Sequence, residues 1–232
     1  MDMGDPTRSI TPTLDGPVLA VLARSGRPLT VGEVAAEAAR GSEIGVRRCL
    51  ARLVDQGLVQ AMEMGRNRVH QLNREHVAAP AAVLFADLRI ELWQRMRKEL
   101  QGWRPKPLYA CVFGSAARGD GDVDSDVDLL LVHPPFPGDP KPPRRAALLE
   151  SITATSSAPI PASAAEAGRW PHQTDRLRAH VQSWSGNSLQ VVDLSFAEWV
   201  GRQQSTTLLA EIKRDAVELV GSLGFGHSMP TK

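Results

Sequence analysis

The sequence predicts an α/β (α+β) protein in two parts joined by a helix, and three observations predict it. Residues from about 14 to 73 read as three helices followed by two short strand-like runs. A second stretch, 76–104, reads as one long amphipathic helix. From residue 105 onward, three apolar strand-like runs alternate with helical segments. The 232 residues are room for one large domain or two modest ones. The changes of pattern set the divisions at 1–75, 76–104 and 105–232.

The N-terminal elements carry their own start and stop signals. Leu14 to Arg24 is a short apolar helix closed by Ser25-Gly26. Thr30 caps the second helix, with Glu33 three residues on as its capping-box partner. Ser42 caps a third, in which Val46, Leu50, Leu53 and Val54 form one buried stripe. Gly57 falls where a C′ glycine ends a helix. Leu58 to Met64 and Arg68 to Leu72 then read as strands joined by Gly65-Arg66-Asn67. Three helices followed by a hairpin is the order of a winged helix-turn-helix. The third helix carries Arg47, Arg48 and Arg52 away from its apolar stripe, and the hairpin tip carries Arg66 and Arg68. These five are the candidate DNA-binding residues. Residues 40–75 hold seven Arg against four acids, a surplus of three. A surplus that modest also suits a solvated face used for protein contacts.

The connecting helix begins around Pro80. Val83, Leu84, Leu88, Leu92 and Met96 give it an apolar stripe suited to joining domains or to pairing with a second copy. The third region opens with a strand, Leu108 to Phe113, a Gly-Ser turn and a short polar stretch, then a second strand, Val127 to His133. Six prolines lie between Pro134 and Pro143, a density that no sheet interior accepts. The expectation is a surface insertion flanking a short helix near Arg144 to Ser151, with a Ser/Ala/Pro-rich stretch from Thr153 to Gly168. Trp170 to Trp184 is helical, Ser188 to Ser195 is a third strand, and Phe196 to Leu219 is mainly helical.

Composition bounds what such a chain does. Hydrophobic residues are 42% and charged residues 23%, as in ordinary soluble proteins. Twenty-seven Lys and Arg stand against 26 Asp and Glu, so DNA contact must come from a local patch. The two cysteines, Cys49 and Cys111, are too few for a disulfide scaffold or a cysteine-built zinc site. The N-terminus, MDMGDPTRS, lacks the basic and apolar parts of a secretion signal. Val77 to Ala86 contains Pro80 and is too short to span a bilayer. A cytoplasmic protein with no membrane partner is expected.

The chemistry is concentrated in CVFGSAARGDGDVDSDVDLLLV, residues 111–132. In a strand alternate side chains share a face, so Asp126 and Asp128 project together. Two carboxylates so close repel unless a cation lies between them. Oxygen ligands of that kind suit Mg²⁺, which completes its shell with water and substrate phosphates. Gly114-Ser115, after an apolar strand, offers backbone N–H groups and a hydroxyl to phosphate oxygens. A polar turn opening a buried strand is the blander reading of the aspartates, and Gly114-Ser115 at its fixed distance argues against it. Phosphate cradle and metal pair together imply a nucleoside triphosphate substrate. The six histidines show no metal-ligand spacing.

This segment resembles the nucleotidyltransferases of the DNA polymerase β superfamily, whose motif is Gly-Ser, ten residues, then Asp-x-Asp. Here Gly114-Ser115 is followed by Ala116 to Ser125 and then Asp126-Val127-Asp128. The resemblance covers about residues 108–221 and implies a mixed sheet flanked by helices. It implies a third carboxylate, best matched by Asp193 in LQVVDLS, and two Mg²⁺ ions held by Asp126, Asp128 and Asp193. It further implies transfer of a nucleoside monophosphate, AMP from ATP by family habit, to a hydroxyl, with Arg118 neutralising triphosphate charge. ATP or another nucleoside triphosphate is then the substrate, and a protein, an RNA or a small molecule the acceptor, within a toxin–antitoxin-like system among other settings. The N-terminal part resembles bacterial transcription regulators of the arsenical-repressor and multiple-antibiotic-resistance types, which implies DNA binding and a homodimer. The joint layout looks like a group of actinobacterial two-domain proteins. Two alternatives stay open: a DNA-binding regulator whose second domain only senses nucleotide, and an antibiotic-modifying adenylyltransferase.

Overall fold

The computed structural model describes residues 1–141, 159–202, 206–222 and 227–228. The chain divides into two compact units, Met1–Glu91 and Leu92–Lys232.

In the first unit, three helices and a small antiparallel sheet enclose one core. The helices are α1 (Asp15–Arg24), α2 (Val31–Glu37) and α3 (Glu43–Asp55); the strands are β1 (Leu29–Thr30), β2 (Val59–Met64) and β3 (Asn67–Leu72), in the order β1-β3-β2. The local signals act as expected. Thr30 accepts from the Glu33 N–H while Glu33 reaches back to the Thr30 N–H at 2.7 Å. Ser42 caps α3 by accepting from the Gly45 N–H. At Gly57 the backbone takes φ +75°, and the Gly57 and Leu58 N–H groups bond the Val54 and Leu53 carbonyls, a complete Schellman stop. Val46, Leu50 and Leu53 are buried and Val54 partly so, against Val18, Leu22 and Val34. Strand β1 was not expected; two residues are too few for any period, and it exists through Leu29 and Thr30 pairing with His70 and Val69.

Helix α4 (Ala79–Gln101) begins in the first unit and ends in the second. Its expected stripe is only half buried. Leu92 and Met96 are inside, whereas Val83 and Leu84 are 36% and 61% exposed.

The second unit is built on a mixed sheet in the order β6-β5-β4-β7-β8. Its strands are β4 (Tyr109–Phe113), β5 (Val127–His133), β6 (Leu189–Ser195), β7 (Val217–Val220) and β8 (His227–Ser228). Its other helices are α5 (Gly114–Arg118), α6 (Ala164–Ser185), α7 (Phe196–Arg202) and α8 (Thr206–Asp215). Strand β5 pairs antiparallel with β4 and parallel with β6. It is covered on both faces and is accordingly apolar almost throughout. On one face Leu130, Val132 and Leu194 pack with Tyr109 and Phe113 against Trp199 of α7 and Ile212 of α8. Leu129 and Leu131 point to the other face and are equally buried.

Three expectations need amendment. Helix α6 starts at Ala164, six residues before Trp170, so the end of the Ser/Ala/Pro-rich stretch is helical. Its start is fixed by a capping box, Ser163 with Glu166, and it carries Pro171 within it. The stretch from Phe196 is not helical through Leu219, because Val217–Val220 leaves α8 to pair antiparallel with β4. The Gly-Ser turn and the polar residues after it are in part the one-turn helix α5. The short helix expected near Arg144 to Ser151 lies outside the described residues. Among the described residues no helix is long and apolar enough to cross a membrane.

Candidate active site

Strand β4 delivers the chain to Gly114, and antiparallel pairing sets Phe113 opposite Asp128. Gly114 has φ +71°, and a Cβ there would fall 2.6 Å from Oδ2 of Asp128. Glycine is therefore required twice, for the backbone conformation and for the approach of a carboxylate. The chain then makes α5, which Gly119 ends in the left-handed conformation. The loop after it folds over Ser115: a Cβ on Gly121 would stand 3.1 Å from Oγ of Ser115.

Asp126 and Asp128 occupy one face of β5, as the alternation requires. Asp126 is exposed and Asp128 half-buried. Register sets Gln190 of β6 beside Asp128, and Nε2 of Gln190 donates to Oδ2 of Asp126 at 3.3 Å. Burial, then the charge of Asp126, then that of Glu211 in α8 hold the Asp128 carboxyl above the usual carboxylate range. A divalent cation would relieve that repulsion. Among the described residues no three His, Cys, Asp or Glu side chains stand together as a metal set. Mg²⁺ commonly takes one or two protein carboxylates and completes its shell with water and phosphate, the donor type this pair offers.

The raised pKa has a consequence for stability. Between the ordinary and the raised value the native state binds more protons than the unfolded chain, so metal-free stability falls as pH rises through that window. Asp128→Asn is expected to be more stable than wild type at about pH 7 without metal, the difference closing towards about pH 3. Thermal melts in EDTA across that range check this. A variant no more stable at neutral pH contradicts the account of burial and repulsion.

Asp193 is not brought to this pair. Its register partner is Leu131, three residues beyond Asp128 and therefore about 10 Å further along the strand. The odd offset also puts it on the opposite face. There Oδ2 of Asp193 accepts from the indole Nε1 of Trp170 in α6 at 2.7 Å, and burial outweighs that bond in raising its pKa. Arg118 donates to Asp120 at 2.9 Å and to Asp215, at the end of α8, at 3.0 Å. Its guanidinium ties α5 to α8. Asn187 is buried and donates to the carbonyls of Ser125 at 2.9 Å and Val123 at 3.4 Å. It holds the segment that leads into Asp126. An amide two residues before an apolar strand was the available signal.

In the first unit a groove of about 620 Å³ runs between α3 and the β2–β3 hairpin, with Arg47, Arg66 and Arg68 on its walls. Arg47 also pairs with Glu43 at 2.8 Å, and Arg52 is engaged by Asp15. Arg48 is exposed on α3 and does not line the groove.

Comparison with known proteins bears on the second unit. A family model described as a nucleotidyltransferase domain matches residues 91–179, a span that includes Gly114, Ser115, Asp126 and Asp128 and ends before Asp193 and Glu211. The match covers less than half of the chain; that stretch is similar to nucleotidyltransferase domains, which supports nucleotidyl transfer in general terms. No curated protein matches. Among solved structures, human N-acetylserotonin methyltransferase in complex with SAM aligns at 18% identity over 38% of this chain and 28% of its own, with a TM-score of 0.25. A likeness that low carries no argument.

Proposed function

We propose that residues 105–232 catalyse Mg²⁺-dependent transfer of a nucleoside monophosphate, AMP from ATP, to a hydroxyl of another molecule. The observation that carries this is the Asp126–Asp128 pair facing a glycine that leaves room at its carboxylate, inside a stretch matched to nucleotidyltransferases. The acceptor oxygen forms a bond to the α-phosphorus, the bond to the bridging oxygen breaks, pyrophosphate leaves, and the hydroxyl proton passes to water. Bound Mg²⁺, two ions in this reading, lowers the pKa of the hydroxyl and offsets the leaving charge. Asp126 and Asp128 hold the metal. Gly114 and Ser115 present N–H groups and a hydroxyl to the phosphates. Arg118 supports α5 from behind.

The test is Mg²⁺-dependent transfer of label from each α-³²P nucleoside triphosphate, with cell lysate as the pool of acceptors. A labelled product from ATP supports the reading; a product from another nucleotide alone corrects the base. No product from any of the four overturns the enzymatic reading.

We further infer that residues 1–75 are a DNA-binding winged helix in a cytoplasmic protein. A second reading of the whole, a DNA-binding regulator that senses nucleotide without turning it over, is favoured by the placement of Asp193 away from the pair. In either case Arg66 and Arg68, on the groove beside α3, are read as phosphate contacts. Replacing both with alanine should weaken binding to the protein's own promoter and reduce the slope of log affinity against log salt by about 2. A gel-shift series across salt concentrations measures it. Wild type that shifts no DNA, or a slope unchanged by the substitutions, removes DNA from the account.

A further inference from the structure

Arg40 belongs by composition to the basic surplus of the first unit, yet its guanidinium is spent inside that unit. It lies in the turn between α2 and α3. Its Nε donates to Oδ2 of Asp5 at 2.5 Å, and Nη1 donates to the carbonyl of Pro12 at 2.9 Å. Its Nη2 donates to the carbonyls of Thr11 and Thr13 at 3.4 and 2.7 Å. One side chain thus gathers the segment that precedes α1, in which Met3, Asp5 and Thr7 are buried. Beyond the clasp the chain runs onto one flank of α3. A Cβ on Gly41 would fall 2.7 Å from Cδ2 of Leu14, and one on Gly45 2.8 Å from Cδ1. Asp15, next in sequence, accepts from Sγ of Cys49 at 3.1 Å and is engaged by Arg52. Gly45, Cys49 and Arg52 recur at i, i+4 and i+7, one side of α3. Glu43, Arg47 and Ala51, which line the groove towards the hairpin, occupy the far side.

We propose that Arg40 is a positioning residue for DNA reading: it clasps residues 3–15 as a strap along one flank of α3, and the strap fixes the pose in which the far flank meets DNA. The inference rests on the reading of residues 1–75 as a DNA-binding winged helix. Val46, Leu50 and Leu53 hold α3 to the core. Apolar contact of that kind is non-directional, so the rotation and slide of the helix are set from its sides. Leu14, seated where two side chains are missing, sets the slide, and the Asp15 carboxylate sets the rotation. Phosphate contacts give affinity without regard to sequence, whereas base contacts depend on where the helix places its side chains. A planar guanidinium with five donors suits a clasp of one carboxylate and three carbonyls; an ammonium has three donors and no fork. Loss of the clasp therefore lowers discrimination between sequences and leaves the attraction to DNA as such in place.

The experiment compares the full chain and its variants on two labelled duplexes of equal length, the protein's own promoter and an unrelated sequence. Gel shifts are run across salt concentrations, with thermal melts to check each variant's folding. Wild type should prefer the promoter. Arg40→Ala should weaken promoter binding about tenfold, the size of one base contact's contribution, with binding to the unrelated duplex within about twofold and the salt slope unchanged. Arg40→Lys, which keeps the charge but not the fork, should behave as Arg40→Ala does. Asp5→Asn leaves the three carbonyl bonds and should lose less in the same direction; it carries the test if Arg40→Ala melts early. Arg66→Ala/Arg68→Ala is the contrast, weakening both duplexes alike with a shallower slope. Hydrogen exchange at the Gly45 and Val46 amides, which bond Ser42 at the start of α3, reads the clasp without DNA and should quicken in Arg40→Ala. Discrimination retained in Arg40→Ala, equal losses on both duplexes, full recovery in Arg40→Lys or unchanged exchange overturns the proposal. Wild type that binds neither duplex, or both equally, overturns the DNA reading and the proposal with it, a failure told from the first by the wild-type row alone.

Discussion

With Asp126 and Asp128 both replaced by alanine, label transfer is expected to fall by about 10³-fold or more, a loss of roughly 4 kcal/mol in transition-state stabilisation. The size follows from what the two side chains share. In the proposed reading each supplies oxygen ligands to the same cation, and among the described residues no three His, Cys, Asp or Glu side chains form a metal-holding group. Removing one therefore removes most of what both provide, and each single variant should cost nearly as much as the pair. Of the two, Asp128 should be the harder to replace. It is half-buried against the bare backbone of Gly114, while Asp126 is exposed and braced only by Gln190. Rates with Mg²⁺ and with Mn²⁺, single and double variants side by side, test this. Activity of the double variant within tenfold of wild type would mean that the pair does not hold the catalytic metal.

The second large effect is on stability. Leu130, in the middle of β5 and 0% exposed, packs among the residues that link the sheet to α7 and α8. Leu130→Ala should cost about 2–5 kcal/mol, the transfer term of the lost methyls plus a cavity that rigid strand neighbours cannot close. The chain offers a clean readout. All five tryptophans, Trp93, Trp103, Trp170, Trp184 and Trp199, belong to the second compact unit. Urea unfolding followed by tryptophan emission thus reports that unit, and its midpoint should drop in Leu130→Ala with the slope unchanged. Leu50→Ala, at an equally buried position of the first unit, serves as the contrast: it should move the far-ultraviolet circular dichroism transition and leave the emission midpoint in place. An emission midpoint that moves as far in Leu50→Ala as in Leu130→Ala would show the two units to unfold as one.

Much of this was legible because it is local. Thr30 with Glu33, Ser42 with Gly45 and the glycine stop at Gly57 each act within a few residues, and each formed where the sequence put it. Asp126 and Asp128 share a face because alternation along a single strand needs no knowledge of its neighbour. Asp193 shows the limit. Whether it meets the pair depends on the register of β6 against β5, two strands about sixty residues apart in sequence, and one residue of slip reverses the face. Nothing within LQVVDLS states that register. The start of α6 was readable, since Ser163 and Glu166 form a box of the kind recognised at Thr30, but it was masked by a run of alanines beside prolines.

Asn187 gives the site an order of assembly. The backbone leading into Asp126 is fastened by an amide more than sixty residues later in the chain, just ahead of the last strand to join β5. A nascent chain carries both aspartates, the glycine beneath them and the strand between them long before it carries that fastening. During synthesis the protein therefore passes through a long interval in which its acidic pair is written but not yet set. The pair takes its final setting only when β6 has emerged and docked.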